Sequence, residues 1–599
     1  MESIYRDPAL RYLRARPLQK QGNREYVEAL LALYERKWDR ALALVQSAIQ
    51  KSPWNYEARQ LQGDIYLAVG NAKQITGEAA GALAEYQRAE KSYESSMAIA
   101  KSDPGAYDGL CDLWRNAMDM VLYGDGGDIV TYKAKAEAAC LSSLKIDTER
   151  PEPFYKIASV YRSWGMYEEE HGQDPTPSWR KAEQMAKQAI ALEPGNTRAH
   201  LNLGVTYRRL AEYEMRHGKN PEPSVQAAIQ SLKRTIALHP GNLFAHNSLG
   251  NAYSMLAEYQ AGIGVDPQQS LQASIEVFRK TIDMDPEYFA AYVNLGVSYM
   301  NLGTIAFQRG SDPTAAQLLA IESYQNAMKL NPENAIVLMN LGNAYKDQAL
   351  YQIEYGKDPA AHLSEARKCY SKALRIKPDY ATVYTNWGGS YRLSAMYKQQ
   401  SLEDASADRK EALRILQEGI KANPMIGESY VEIAQVHLLE ARSKLEQKAG
   451  ADPSFRNARE AAAQALQIDP DSINAQETAV DVELLQLQDL VQKGRAADAV
   501  FRSAESAISR LLQTKSDYAA AYELRARFYR WKAESKIWSK LSASEEISAG
   551  LQAVEQAFQL NPQLGLAYLD QAALFTLQGK RSEADQALQK AHSINPKLR

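Results

Sequence analysis

The side chains able to do acid, base, nucleophilic or metal chemistry are few and scattered: 8 His and 3 Cys occur among 599 residues. His-Glu-x-x-His, which sets two imidazoles and a general base on one helix face, does not occur, and no Gly-x-Ser-x-Gly elbow presents a nucleophilic serine. His200 and His246 stand at a position that Tyr292 and Tyr384 fill elsewhere, and His171 and His217 each precede a glycine, so all four read as structural. Cys111, Cys140 and Cys369 have no metal-ligand spacing and no even count. They read as small buried residues, and the odd count favours a reducing compartment. One Asp per turn supplies too few oxygen ligands for calcium. Expected catalytic residues, metal ligands and cofactors are therefore none.

What does recur is amide chemistry. Asn202, Asn251, Asn294, Asn301, Asn340, Asn343 and Asn386, together with Arg198 and Arg209, fall on one register of a repeating pattern. A carboxamide offers donors and an acceptor, and so pairs with the N–H and C=O of an extended backbone whatever its side chains are. The alternative is that these amides bond between neighbouring helices and set their pitch. Either use requires a fold that brings residues about 46 apart side by side.

The elements that do this are legible as a ruler. Pro194, Pro240, Pro286, Pro332, Pro378, Pro424 and Pro470 each follow the last by 46 residues, and the register extends forward to Ser516 and Pro562 and back to Thr148. Ten residues past each anchor comes a small residue, among them Gly204, Gly250, Gly296, Gly342 and Gly388; three further on comes Tyr207, Tyr253, Tyr299, Tyr345 or Tyr391. Another small residue follows at offset 34, as in Ala228, Ala320 and Ala366. Leu-Gly-x-x-Tyr, then Ala, then Pro resembles the tetratricopeptide (TPR) signature, whose ordinary period is about 34 residues. The resemblance implies paired antiparallel helices A and B, with small residues permitting their close approach.

The residues in excess of that period lie in the A–B turn. Gly172, Gly218, Gly264, Gly310 and Gly356 supply a left-handed residue, and Asp174, Asn220, Asp266, Asp312 and Asp358 cap the following helix with a proline next in line. The extra length therefore extends the helices, A to about 20 residues, near 30 Å. The fold class is all-α, an alpha-alpha superhelix (TPR solenoid) of about thirteen helix pairs. The expected divisions are a basic N-terminal segment at 1–21, irregular repeats at 22–150, regular 46-residue repeats at 151–400, degenerate repeats at 401–518 and C-terminal repeats with a cap at 519–599.

Composition narrows the function. A net charge of -3, from 70 basic and 73 acidic residues, provides no broad field for a phosphate backbone, so nucleic acid is not expected as a partner. The one skewed stretch is Arg6, Arg11, Arg14, Arg16, Lys20 and Arg24, a solvated tail or a membrane-proximal segment. No apolar run approaches the length of a membrane span, and no direct membrane insertion is expected. The units AEYEMRHGKNPEPS and AIQSLKRTIALHPGNLFAHNSLGNAY resemble the C-terminal repeat regions of bacterial serine/threonine protein kinases, most clearly from about 151 to 400. The resemblance implies an interaction or sensing region. The Gly-rich loop, the His-Arg-Asp loop and Asp-Phe-Gly of the kinase domain itself are missing from this chain.

The expected protein is thus not an enzyme but a scaffold that binds a protein or peptide in the concave groove of its superhelix. Offsets 4, 8, 11 and 15 from each anchor, which carry the asparagines, lie opposite the Leu-Gly-Tyr face of helix A. A self-assembling structural protein, a homo-oligomer, is the alternative. The expected location is the cytoplasm or, if the chain belongs to a membrane-anchored kinase, an extracytoplasmic soluble region.

Overall fold

Each A helix sets a small residue against a large side chain of the B helix that follows it, as Gly342 against Tyr370, and the two pack closely as a pair. The computed structural model describes residues 24–122 and 127–598. The basic residues Arg6 to Lys20 lie outside them, and Arg24 opens the first helix. The described residues form 26 helices and no strand, hence thirteen A–B pairs. The chain divides into two compact units, up to Tyr259 and from Gln260 onward.

The first unit holds α1 (Arg24–Tyr34), α2 (Trp38–Lys51), α3 (Tyr56–Ile75), α4 (Ala79–Ile99), α5 (Gly105–Leu122), α6 (Ile129–Ile146), α7 (Pro151–Glu170), α8 (Thr176–Leu192), α9 (Thr197–Arg216) and α10 (Glu222–Leu238). The division falls within α11 (Leu243–Gly262). The second unit continues with α12 (Gln268–Met284), α13 (Phe289–Gln308), α14 (Thr314–Leu330), α15 (Ala335–Glu354), α16 (Ala360–Ile376), α17 (Ala381–Gln400), α18 (Ser406–Ala422), α19 (Gly427–Glu446), α20 (Asp452–Ile468), α21 (Ile473–Gln492), α22 (Asp498–Thr514), α23 (Ala519–Trp538), α24 (Ser544–Leu560), α25 (Gly565–Leu577) and α26 (Arg581–Ile594). From α7 to α24 every A helix has 20 residues and every B helix 17, as the ruler requires.

Within a pair, the small residue at offset 10 is pressed by a large side chain at offset 38, which the sequence reading did not single out. A Cβ on Gly342 would lie 2.5 Å from Tyr370, one on Gly296 2.5 Å from Tyr324, one on Gly388 2.5 Å from Leu416 and one on Gly204 2.7 Å from Leu232. Those partners are fully buried or nearly so. The tyrosines at offset 13 are less enclosed: Tyr299 is buried, whereas Tyr253 is half-buried beneath Lys233, whose Nζ lies 5.5 Å from the ring centroid.

Both turns are satisfied locally. At the A–B turn, Asp174, Asn220, Asp312 and Asp358 accept from the backbone N–H two residues on at 2.9–3.0 Å. The glycines before them have φ from +65° to +73°. The same left-handed site persists where glycine is lost, with Leu402 at φ 61°, Lys448 at 56° and Lys540 at 60°. At the B–A turn, the residue at offset 6 reaches back to the anchor carbonyl. His200 and His246 do so through Nε2 at 3.1 and 3.0 Å, and Tyr384 and Tyr522 through their hydroxyls at 3.1 and 3.0 Å. His171 and His217 sit on the rings of Tyr167 and Tyr213, with centroids 3.9 and 4.0 Å apart.

Consecutive A helices touch one another from α1 through α9 and from α13 through α25, while among the described residues consecutive B helices share no packed contact. The A helices therefore lie on the inner side of the curve. In the second unit the curvature brings turns far apart in sequence together. Gly264 packs on Asp517, Gly310 on Asn561 and Gly356 on Asn595, and Asn595 donates to the Ile353 carbonyl at 3.1 Å. Lys597 lies 3.7 Å from the centroid of the Tyr397 ring.

The cysteine reading needs correction. Cys111 on α5 and Cys140 on α6 face each other as a disulfide, with Cα atoms 5.2 Å apart. An odd count and a separation of 29 residues conveyed nothing of this, because it is the antiparallel packing of α5 on α6 that sets the sulfurs side by side. The pairing also removes the ground for expecting a reducing compartment. Cys369 stays buried, and burial pushes its thiol up to about 11.

This packing can be probed at its tightest and its most strained positions. Gly342→Ala should lose about 1–3 kcal/mol, because its methyl group overpacks a filled site. Gly262→Ala, with nothing within 4 Å, should lose nothing, and equal melting temperatures for the two would refute the close approach. Replacing Leu402, Lys448 or Lys540 by Gly should raise stability by up to about 1 kcal/mol each, since L side chains are strained at positive φ. Denaturant melts that show all three destabilised would contradict the left-handed turns.

Candidate functional site

The inner stripe is made where each A helix meets the next, so its polar side chains come from helices about 46 residues apart. In the first unit, Asn202 on α9 is buried. Its Nδ2 donates to the Tyr155 carbonyl of α7 at 2.9 Å, and its Oδ1 accepts from Ser159 Oγ at 3.1 Å and Arg162 Nη1 at 3.0 Å. Arg198 is exposed and donates to the Tyr155 hydroxyl at 3.2 Å, and Arg209 pairs with Glu212 on its own helix at 3.1 Å. Asn251 lies half-buried on α11.

In the second unit, Asn294 and Asn301 on α13 and Asn340 on α15 are half-buried, and Asn294, Asn340 and Asn386 share offset 8 on successive A helices. Asn343 accepts from the hydroxyl of Tyr370 on α16 at 2.8 Å, which fixes the ring that covers Gly342. Asn386 accepts from Lys346 Nζ of α15 at 2.8 Å. Asn202 and Asn386 thus tie neighbouring A helices, whereas Asn343 ties A to B.

Charged side chains, which the sequence reading left out, continue this stripe. Arg392 of α17 pairs with Glu432 of α19, and Asn474 of α21 donates to Glu428 of α19 at 3.3 Å. Gln435 of α19 donates to Thr478 of α21 at 3.1 Å. Arg527 of α23 lies between Asp481 of α21 at 3.4 Å, Glu523 and Asp570 of α25 at 3.6 Å, while Arg530 reaches Asp570 at 3.0 Å. Most of these groups, Glu428, Asn474, Glu432, Asp570, Asp481 and Arg527 among them, stand at offsets 4, 8 and 11, the asparagine register itself, and were missed only because the register was not followed past residue 400; Glu523, Arg392 and Arg530 stand at offsets 7 and 14. At 100° per residue these last three border the asparagine face, so a stripe drawn one position wider would have found them.

The electrostatics of the stripe are set by enclosure. Burial raises Glu477 to about 7, with nearby Asp481 adding to the shift against the Tyr518 hydroxyl bond. Asp347 rises to about 6 for the same reason, partly offset by Lys346. Glu354 and Glu428 are open to water yet surrounded by protein, and the loss of bulk solvent around them raises both, with Glu432 adding to Glu428. Carboxyls raised in this way gain from an added cation. Among the described residues no three His, Cys, Asp or Glu side chains converge as a metal site, and no described helix is long and apolar enough to cross a membrane.

Comparison with known proteins places the repeat type. Residues 319–348, most of α14 and the larger part of α15, match the model of the TPR repeat. No curated protein matches the sequence. Among solved structures, human IFIT1, crystallised as a dimer with PPP-AAAA, is 14% identical over 83% of this chain and 90% of its own, with a TM-score of 0.38. Yeast Tom70 is 14% identical over 89% and 92%, at 0.34. A thermophilic TPR protein from Thermus thermophilus is 18% identical over 39% and 98%, at 0.27.

Proposed function

We propose that the protein is a non-catalytic scaffold that holds a polypeptide against the inner stripe of its A helices, and that the segment held by the second unit is basic. The observation that carries this reading is the set of inner carboxyls Glu354, Glu428 and Glu477, raised because the surrounding protein displaces bulk solvent from them by more than the nearby cations offset. A Lys or Arg side chain from a partner adds positive charge and regains part of the electrostatic cost of enclosure. Half-buried amides such as Asn294 and Asn340 add contacts to the partner's backbone, while Asn202, Asn343 and Asn386 hold the helices at the spacing it meets. The likeness of the repeats to those of bacterial serine/threonine kinases supports a finer reading, the interaction or sensing arm of such a kinase system.

Self-assembly is the competing reading, favoured by Ile537, Trp538 and Leu541, which stand 42%, 67% and 61% exposed around the α23–α24 turn. Light scattering over a concentration series separates the two, since a constant monomer mass removes it.

A fluorescent peptide alternating Lys and Ala should bind, and its Glu and Ala counterpart should not. Glu428→Gln with Glu477→Gln should weaken binding about tenfold, the scale of one charge-assisted hydrogen bond. Affinity should rise from pH 5.5 to 8. A raised carboxyl is neutral below its folded pKa and ionises as pH climbs through it, about 7 for Glu477. Anisotropy that shows equal binding of both peptides sinks the basic-segment reading.

The amides assigned to the partner are tested separately by Asn294→Ala and Asn340→Ala in one variant. Loss of about 0.5–1.5 kcal/mol of affinity per amide at unchanged melting temperature supports contact with the partner. A lowered melting temperature with affinity falling only in its wake assigns the amides to helix pitch instead.

A further inference from the structure

A cavity of about 760 Å³ lies in the second unit where its early turns meet its late ones. One wall comes from the end of α11, from α13 and from α15; the other comes from the α22–α23 and α24–α25 turns. Ile305, Phe307, Leu350 and Leu564 provide apolar lining. The polar groups on its lining are of both kinds, two carboxylates and two cations among amides and hydroxyls. Gln317 of α14, only 4% exposed, is part of this lining, and its buried Oε1 lacks any partner. Asp347 contributes a carboxylate and Asp517 another. Of the cations at the lining, Arg309 is already paired with Asp266 at 3.0 Å, and Lys515 belongs to the late turn.

A buried acceptor with no donor is costly, and two carboxylates on the same lining favour a donor that carries positive charge. A volume of this size is that of a small-molecule site, and apolar walls with a few polar groups are its usual make-up. We propose that this cavity binds a small organic cation, an ammonium or guanidinium carried on an apolar chain, with its charged head served by Asp347 and Gln317 and its chain against Ile305, Phe307 and Leu350. Because the walls come from turns about 250 residues apart, such a ligand joins the early turns to the late ones and stabilises the closed curve of this unit. Neither Glu428 nor Glu477 lines the cavity, although Tyr518 of its wall donates to Glu477, and the two readings are tested on different variants with different probes, so either can fail without the other.

The test uses the full chain with n-hexylammonium as probe, n-hexanoate as the charge-reversed control, and a capped Ala-Lys-Ala tripeptide. Hexylammonium should raise the melting temperature and bind in calorimetry, with at least tenfold weaker affinity in Asp347→Asn and in Gln317→Leu. Circular dichroism confirms that each variant is folded, and Gln317→Glu, which adds a charge at the same place, should tighten binding. Binding of hexylammonium alone identifies a free ligand, and equal binding of the tripeptide identifies a partner's lysine side chain; both support the class. Hexanoate bound as well as hexylammonium, or affinity unchanged in both weakening variants, overturns the proposal.

Discussion

The contact on which the rest of the structure depends is the seat of a large B-helix side chain on a glycine of helix A. Tyr370 over Gly342, Tyr324 over Gly296 and Leu416 over Gly388 leave no room for a methyl group. That close approach fixes the distance and angle of the two helices in a pair. It also commits one face of helix A to its partner, which leaves the opposite face to meet the next A helix. Where the seat is a tyrosine, its hydroxyl must find an acceptor, and Asn343 provides one for Tyr370. A residue on the asparagine register is thereby drawn into the pair's own packing.

From that contact follows the character of the inner side. A helices that touch one another carry polar groups where they converge, and those groups are enclosed by protein on several sides. Two consequences compete there. Ties such as Arg392 to Glu432 and Arg530 to Asp570 hold the curve. Carboxyls that the ties do not neutralise, Glu354 and Glu428 among them, are raised and retain a demand for positive charge. The same surface is thus the joint of the solenoid and, in the function proposed above, the part that meets a partner.

The irregular stretch after residue 400 shows which features the backbone insists on. The left-handed residue of the A–B turn stays in register as Leu402, Lys448 and Lys540 although glycine is gone. The ring expected at offset 13 is replaced by Glu483, and Arg459 answers it with Nε at 3.0 Å. Side-chain chemistry has changed while helix lengths and turn positions have not, so the deviation from the pattern is one of contacts rather than of architecture.

Helix type, helix length, pair count and the capping of the A–B turn were determined by the sequence alone, whereas the bond from offset 6 back to the anchor carbonyl was not read from it. The features so determined each depend on residues within one 46-residue unit, and a unit repeated many times averages out local exceptions. The asparagine register was legible for the same reason, but not what each amide touches: Asn202, Asn343 and Asn386 lie on one face and meet three different kinds of partner. Tertiary structure alone decided the Cys111 to Cys140 pairing, the raised inner carboxyls, and the meeting of Asn595 with Ile353 across 242 residues. A period specifies the rotation from one repeat to the next only through packing. Small rotations accumulate over many repeats, and which turns finally touch is a property of their sum, which no single repeat contains.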